Sequence, residues 1–252
     1  MAYIISELHG QYGGSLDVAE QMILQSKFGG ANAVKIQLYS GDFDPKSMNG
    51  DKPGDHLSLS YEEVKRLKAY ADMLHIDFFA SFFDEERMQW CVDLNLPILK
   101  VANWLSREKP EIMESAIATG KPVLVSLNNE QAQKGKPYAQ TNVKYLYTEP
   151  LYPARLEDMH IPDFRSSWFD GYSDHTIGIT AASYALSRGA TIVEKHFTVA
   201  KSWQKTKEGA HACSMDVDDL RMLQELARGY DLLEHKKVFQ FSSHDPLVGW
   251  TE

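Results

Sequence analysis

One alternation constrains this chain more than any other feature. Short apolar runs rich in Val, Ile, Leu and Phe are followed by longer stretches with apolar residues at helical spacing. Runs that are apolar on both faces read as buried parallel strands, and the stretches between them as crossover helices. Strands are expected at Tyr3 to Leu8, Ala33 to Leu38, Asp77 to Phe82, Ile98 to Val101, Pro122 to Ser126, Lys144 to Tyr147, Phe169 to Tyr172 and Thr191 to Lys195. Helices are expected at Leu16 to Phe28, Tyr61 to Leu74, Asp84 to Leu94, Pro110 to Thr119, Ile177 to Ser187 and Val217 to Leu233. Eight such units in 252 residues predict an α/β fold, a (β/α)8 TIM barrel forming a single domain over the whole chain.

Punctuation supports the spacing. Gly29-Gly30, Gly120 and Gly189 each follow an amphipathic segment and permit a left-handed turn into the next strand. The fifth unit departs from regularity: Leu127 to Val143 is too polar and too broken by Gly135 and Pro137 for a full crossover helix, so a vestigial one is expected. Residues 235–252 lack periodicity and read as a terminal arm or cap.

Charge and composition remove several functions. A net charge of −9 disfavours nucleic acid and anionic membranes, because both are bound by clustered cations. The start Met1-Ala2-Tyr3-Ile4-Ile5-Ser6-Glu7 has no cationic leader region, and no apolar run reaches the ~18 residues of a membrane span. Cys91 and Cys213 stand far apart, without zinc-ligand spacing, so a reducing cytoplasm is the expected location.

A barrel of this kind concentrates chemistry at the carboxyl ends of its strands. Polar residues there are Glu7 and His9, Lys35 and Gln37, Ser81, Lys100 and Asn103, Ser126, Tyr152, Ser173 to His175, and Glu194 with His196. Two lysines and two histidines at one mouth point to an anionic ligand beside a divalent metal. His175 and His196 close consecutive strands, a spacing that sets them side by side as ligands or as two buried structural histidines. Lys35, inside the apolar Ala-Val-Lys-Ile-Gln, faces either a bound anion or a salt-bridge partner. Glu7 is either a buried acid/base or the partner of Lys35 or Lys100.

The segment GYSDHTIGITAASYALSRGATIVEKHFT, Gly171 to Thr198, closely resembles the hallmark of the sialic acid synthase family. Weaker supports are VKIQ (Val34 to Gln37), GGSLDVA (Gly13 to Ala19) and the Phe-Asp of ASFFDEE (Ala80 to Glu86), and the likeness runs from Ile4 to about Leu226. The resemblance implies condensation of phosphoenolpyruvate with a sugar aldehyde on a divalent metal, Mn2+ before Mg2+ or Co2+. Under it His175 and His196 are the metal ligands, and Lys35, Ser81, Lys100, Asn103 and Ser173 hold phosphoenolpyruvate. Glu7 is the acid/base, and Gln37, Tyr152 and Glu194 contact the sugar. The implied partners are those two substrates, with a homodimer or a separate chain completing the site.

Departures from the family pattern accompany the likeness. Asn103 and Pro150 replace serine-like phosphoenolpyruvate contacts, Ala210 stands where a sugar-binding aspartate is usual while His211 matches, and Ser126-Leu127-Asn128-Asn129 replaces a Ser-Thr-Gly loop. Typical members continue into an antifreeze-like domain that supplies an arginine; none is expected to follow the barrel here, and Lys201, Lys205, Lys207 or the tail would then supply any replacement. A metal-dependent lyase or hydrolase on the same barrel and a non-catalytic homologue stand as alternatives. The five tryptophans, among them Trp104, read as packing residues. Asp84 to Arg87 reads as the acidic first turn of a helix and Gly13-Gly14 as a turn, not a phosphate loop.

Overall fold

A computed structural model of the protein describes residues 2–41, 55–206 and 212–234. Its eight strands are β1 (Tyr3–Glu7), β2 (Ala33–Leu38), β3 (Asp77–Phe82), β4 (Leu99–Val101), β5 (Val123–Leu127), β6 (Val143–Thr148), β7 (Gly171–Asp174) and β8 (Ile192–His196). They pair in parallel with their sequence neighbours, and β1 also pairs with β8, closing the barrel. The (β/α)8 TIM barrel expected from the alternation is the fold observed.

The helices are α1 (Leu16–Gly29), α2 (Tyr61–Met73), α3 (Glu85–Asp93), α4 (Asn103–Glu108), α5 (Pro110–Ala118), α6 (Asn129–Gln133), α7 (Thr180–Ser187) and α8 (Val217–Glu234). Side chains mark their starts. Ser60 and Glu63 form a reciprocal capping box before α2, and Asp84 accepts the backbone N–H of Arg87, which makes it the cap of α3 and not its first residue. Gly30, at φ 93°, ends α1 in the left-handed region. Val64, Leu67 and Ala71 carry the buried face of α2, while Tyr61 is only partly buried, edge-on to Trp90. The fifth helix is vestigial, as expected: α6 has five residues behind a capping box of Asn128 and Gln131.

Two units differ from the expected pattern. Unit four carries two helices, because α4 precedes α5, and between β6 and β7 the described chain holds only a 3-10 turn, Leu156–Asp158. Several strands also reach further toward the mouth than their apolar runs. β5 extends to Leu127, β6 to Thr148 and β8 to His196, and β7 spans Gly171–Asp174 where Phe169 to Tyr172 was expected. The physical reason is local. Phe169 packs edge-on to Tyr147 before the strand begins, whereas a Cβ on Gly171 would stand 2.0 Å from the Ile192 carbonyl oxygen, so the glycine permits close β7–β8 pairing. Helix α7 starts three residues later than expected, Ile177 being exposed in the preceding turn. Residues 235–252, read as an arm or cap, lie outside the described residues.

Candidate active site

Strand register gathers the polar residues at one end. Glu7 is paired with Lys35 on one side and His196 on the other, Ser81 with Gln37 and Lys100, and Ser173 with Glu194. Glu7, Lys35, Ser81, Lys100, Ser173, His175, Glu194 and His196 are all buried, which is costly for charges without partners.

The charges are partnered. Lys35 Nζ forms an ion pair with Glu7 and donates to Glu194 Oε1 at 2.9 Å. Ser173 Oγ donates to the same oxygen at 3.2 Å, and Lys100 Nζ lies 3.8 Å from Glu194 Oε2 while donating to Ser126 Oγ at 2.8 Å. Of the roles left open for Glu7, partnership with Lys35 is present in the geometry. Burial, aided by the nearby Glu194, outweighs Lys35 and holds the Glu7 carboxyl above its ordinary range. Burial alone would lower Lys35, but Glu194 and Glu7 outweigh it and keep the ammonium above its usual value. Lys100 has less compensation: burial, with Lys35 nearby, pushes it down to about 8. Glu194 is held well below the ordinary range because Lys100 and Lys35 overcome the effect of burial.

His175 and His196 are neighbours, with ring centroids 5.9 Å apart, and Tyr152 packs against both at 4.1 and 6.1 Å. His175 Nδ1 lies 2.7 Å from the Glu149 carbonyl oxygen, which can only accept, so Nδ1 carries the proton and Nε2 keeps a lone pair. Burial pushes His175 down to about 4, leaving it neutral at pH 7. An imidazole with a free Nε2 beside a second histidine suits a divalent transition metal whose other ligands are oxygens. Among the described residues no group of three His, Cys, Asp or Glu side chains is placed to hold a cation.

A cavity open to solvent joins most of these groups. Lys35, Gln37, Lys100, Asn103, Tyr152, Ser173, His175, Glu194 and His196 all line it. Glu7 and Ser81 do not; Glu7 lies behind Lys35, and the buried Ser81 hydroxyl has no hydrogen-bond partner among the described residues. Asn103 reaches the wall, but its amide donates to Gln131 Oε1 at 2.6 Å. Pro150 is also in the wall. Of the lysines considered as substitutes, Lys201 is held by Asp219 at 2.9 Å, and Lys205 lies against the Gly13 turn with its backbone bonded to Gln11. Lys207, Ala210 and His211 lie outside the described residues.

Two features escaped the sequence reading. Arg107, on the unexpected helix α4, lines the cavity. Behind the histidines, Lys195 Nζ donates to Asp174 Oδ2 and to the Thr176 carbonyl, both at 2.8 Å, while Thr176 N and Oγ1 donate to Asp174 Oδ1. Both charges are 0% exposed and face each other across β7 and β8, one residue before each histidine. The signal was present as an acid and a base next to two histidines in apolar strands, but their opposition depends on register.

Fold and site together define a closed parallel barrel with lysines, carboxylates and imidazoles at the carboxyl ends of its strands. The NeuB family profile matches residues 22–237, and the chain belongs to that family. It is 28% identical to the N-acetylneuraminate-9-phosphate synthase of Homo sapiens, over 92% of this chain and 70% of that protein. It is 26% identical to the N,N'-diacetyllegionaminic acid synthase of Legionella pneumophila, over 90% and 71%. The solved N-acetylneuraminic acid synthetase of Leptospira borgpetersenii, in complex with citrate, superposes with a TM-score of 0.82 at 26% identity, covering 96% of this chain and 88% of that one.

Proposed function

We propose that this protein is a metal-dependent synthase that condenses phosphoenolpyruvate with a 2-acetamido sugar aldehyde, giving a nonulosonic or related sugar acid, and that Mn2+ is its preferred metal. The observation that carries the reading is the shared cavity: Lys35, Lys100, Glu194, His175 and His196 line one wall system at the barrel mouth. Membership of the NeuB family and likeness to named synthases support it.

In this reading the enol carbon of phosphoenolpyruvate forms a bond to the aldehyde carbon, water adds to the adjacent carbon, and phosphate departs. His175 and His196 would hold the metal, which when bound would supply Lewis-acid polarisation of the aldehyde. Lys35, Lys100 and Ser173 hold the enol phosphate near-attack, with Ser81 and Asn103 at the periphery of that group. Gln37, Tyr152 and Glu194 orient the sugar, and Glu7, held above the ordinary carboxyl range, handles the proton of the added water. Cys91 and Cys213 are buried free thiols, which fits a reducing cytoplasm, and no described helix is long and apolar enough to cross a membrane.

Thermal unfolding of the metal-loaded protein with phosphoenolpyruvate tests the reading without knowledge of the sugar. At 100 times Kd the ligand stabilises by about 2.7 kcal/mol, or roughly 5 to 10 °C in a domain of this size. A shift that requires metal and disappears in Lys35→Ala is expected. One observation favours a second reading, a lyase or hydrolase at the same mouth: Asn103 is engaged by Gln131 and Pro150 offers no donor. Tight metal binding without any phosphoenolpyruvate shift selects it.

A further inference from the structure

The cavity has two chemically different sides. The β7–β8 side carries imidazoles, a carboxylate and a tyrosine, whereas the β4–β5 side presents Lys100, Ser126 and Arg107. The charge balance of the mouth sharpens this contrast. Lys35 is engaged by Glu7 and Glu194, and Lys100 lies 3.8 Å from Glu194, so both lysines of the mouth already face carboxylates. A phosphate monoester carries roughly −1.5 to −2 at pH 7 and has three strong acceptor oxygens. A cation that does not already face a carboxylate of the mouth suits it on the donor-rich side.

Arg107 is placed for this. Its Nε donates to Glu108 Oε1 at 2.7 Å, and no other hydrogen bond or ion pair engages its guanidinium among the described residues. That pair joins chain neighbours with side chains 37% and 47% exposed, a kind of contact that contributes little and is readily exchanged. The platform beneath it is firm. Ser106 Oγ donates to the carbonyls of Asn103 at 2.9 Å and Ser126 at 3.3 Å, and Gln131 Nε2 donates to Ser106 Oγ at 3.1 Å. Ser126 in turn receives Lys100, so the helix bearing Arg107 is fastened to the residue that orients the lysine.

We propose that Arg107 is a further phosphoryl-binding residue of this mouth, taking two oxygens of the enol phosphate on its free amino groups while Lys100 approaches from the strand end. The proposal rests on the phosphoenolpyruvate reading and adds a guanidinium to the group already assigned there to hold the phosphate.

Calorimetric titration of the metal-loaded full chain tests it, with phosphoenolpyruvate, inorganic phosphate and pyruvate as probes. In Arg107→Ala, phosphoenolpyruvate and phosphate weaken by about tenfold or more while pyruvate and metal affinity stay unchanged, since only the phosphoryl contact is lost. Arg107→Lys recovers part of the loss, and the KM for phosphoenolpyruvate rises without that of the sugar. Equal phosphoenolpyruvate affinity in wild type and Arg107→Ala overturns the proposal and leaves the synthase reading standing. A parallel loss of pyruvate or metal binding also overturns it, as a general distortion of the mouth. No phosphoenolpyruvate or phosphate binding to the wild type overturns both.

Discussion

The two sides of the mouth are built by different means. On the β7–β8 side, His175 and His196 stand at or beside strand ends and are backed by Asp174 and Lys195, paired at 2.8 Å and wholly buried. On the β4–β5 side, Lys100 and Ser126 stand on strands, but Asn103 and Arg107 are carried by a six-residue helix, α4, held by side-chain bonds from Ser106 and Gln131. Ladder hydrogen bonds set the first side, so its residues must persist for the geometry to persist. Helix α4 hangs on a few amide and hydroxyl contacts and can be rebuilt while the barrel stays intact. The departures from the family pattern at Asn103 and the Ser126 to Asn129 loop fall on that second side, whereas Pro150 follows β6.

The largest expected effect breaks the first side at its chemistry. His175→Ala or His196→Ala removes half of the imidazole pair, and metal affinity falls by more than about a hundredfold, since even outer-shell changes cost 10- to 100-fold. Calorimetry with Mn2+ measures this, and circular dichroism checks that the barrel remains. Unchanged metal affinity would remove both histidines from the proposed metal site.

The next effect strikes the support behind the histidines. Lys195→Met leaves Asp174 as an unpaired buried carboxylate and destabilises the fold by about 3 to 5 kcal/mol. The double variant Asp174→Leu with Lys195→Met restores much of that stability, because an apolar pair can replace a buried ion pair. Metal affinity is not restored with it if the pair aligns the two histidines. Denaturant unfolding and metal titration on the same samples separate the two outcomes.

These contrasts explain what was legible in the sequence. Lys35, Lys100, His175 and His196 stand out because each interrupts or closes an apolar run, where burial demands a reason for a polar group. The same polarity hid the true strand ends: Thr148, Ser173 and Asp174 looked like loop, although the β6–β7 ladder includes Thr148 and Ser173 and the β7–β8 ladder both Ser173 and Asp174. The Asp174–Lys195 pair was invisible for another reason. Its members are 21 residues apart, and only the register of β7 against β8 opposes them. Helix α4 is too short to show periodicity, has no side-chain cap at Ala102, and is followed at once by Pro110, so nothing local announced it or the place of Arg107.

On the second side, pH offers a smaller and reversible perturbation. Lys100 ordinarily titrates near 10.5, but burial and Lys35 push it down to about 8, so the mouth loses this cation as pH rises through that value. The expected kcat/KM for phosphoenolpyruvate is flat near pH 7 and declines above about 8. Lys100→Arg keeps its charge and removes the decline, at whatever cost its larger head imposes on the absolute rate. A decline of the same shape in that variant would assign the titration to another group.

The smallest effect tests whether α4 is truly held from outside. Gln131 accepts from the Asn103 amide and donates to Ser106 Oγ, while its own cap partner Asn128 anchors the short α6. Gln131→Ala breaks these contacts without touching a strand, and each lost neutral hydrogen bond is worth about 1 kcal/mol. Global stability therefore drops only slightly, yet Asn103 and Arg107 lose their common tether. The expected result is a KM for phosphoenolpyruvate raised a few-fold, about the factor that 1 kcal/mol implies, with metal affinity unchanged. If metal affinity falls in parallel, the two sides of the mouth are coupled through the barrel, and the division between ladder-held and tether-held halves does not describe this protein.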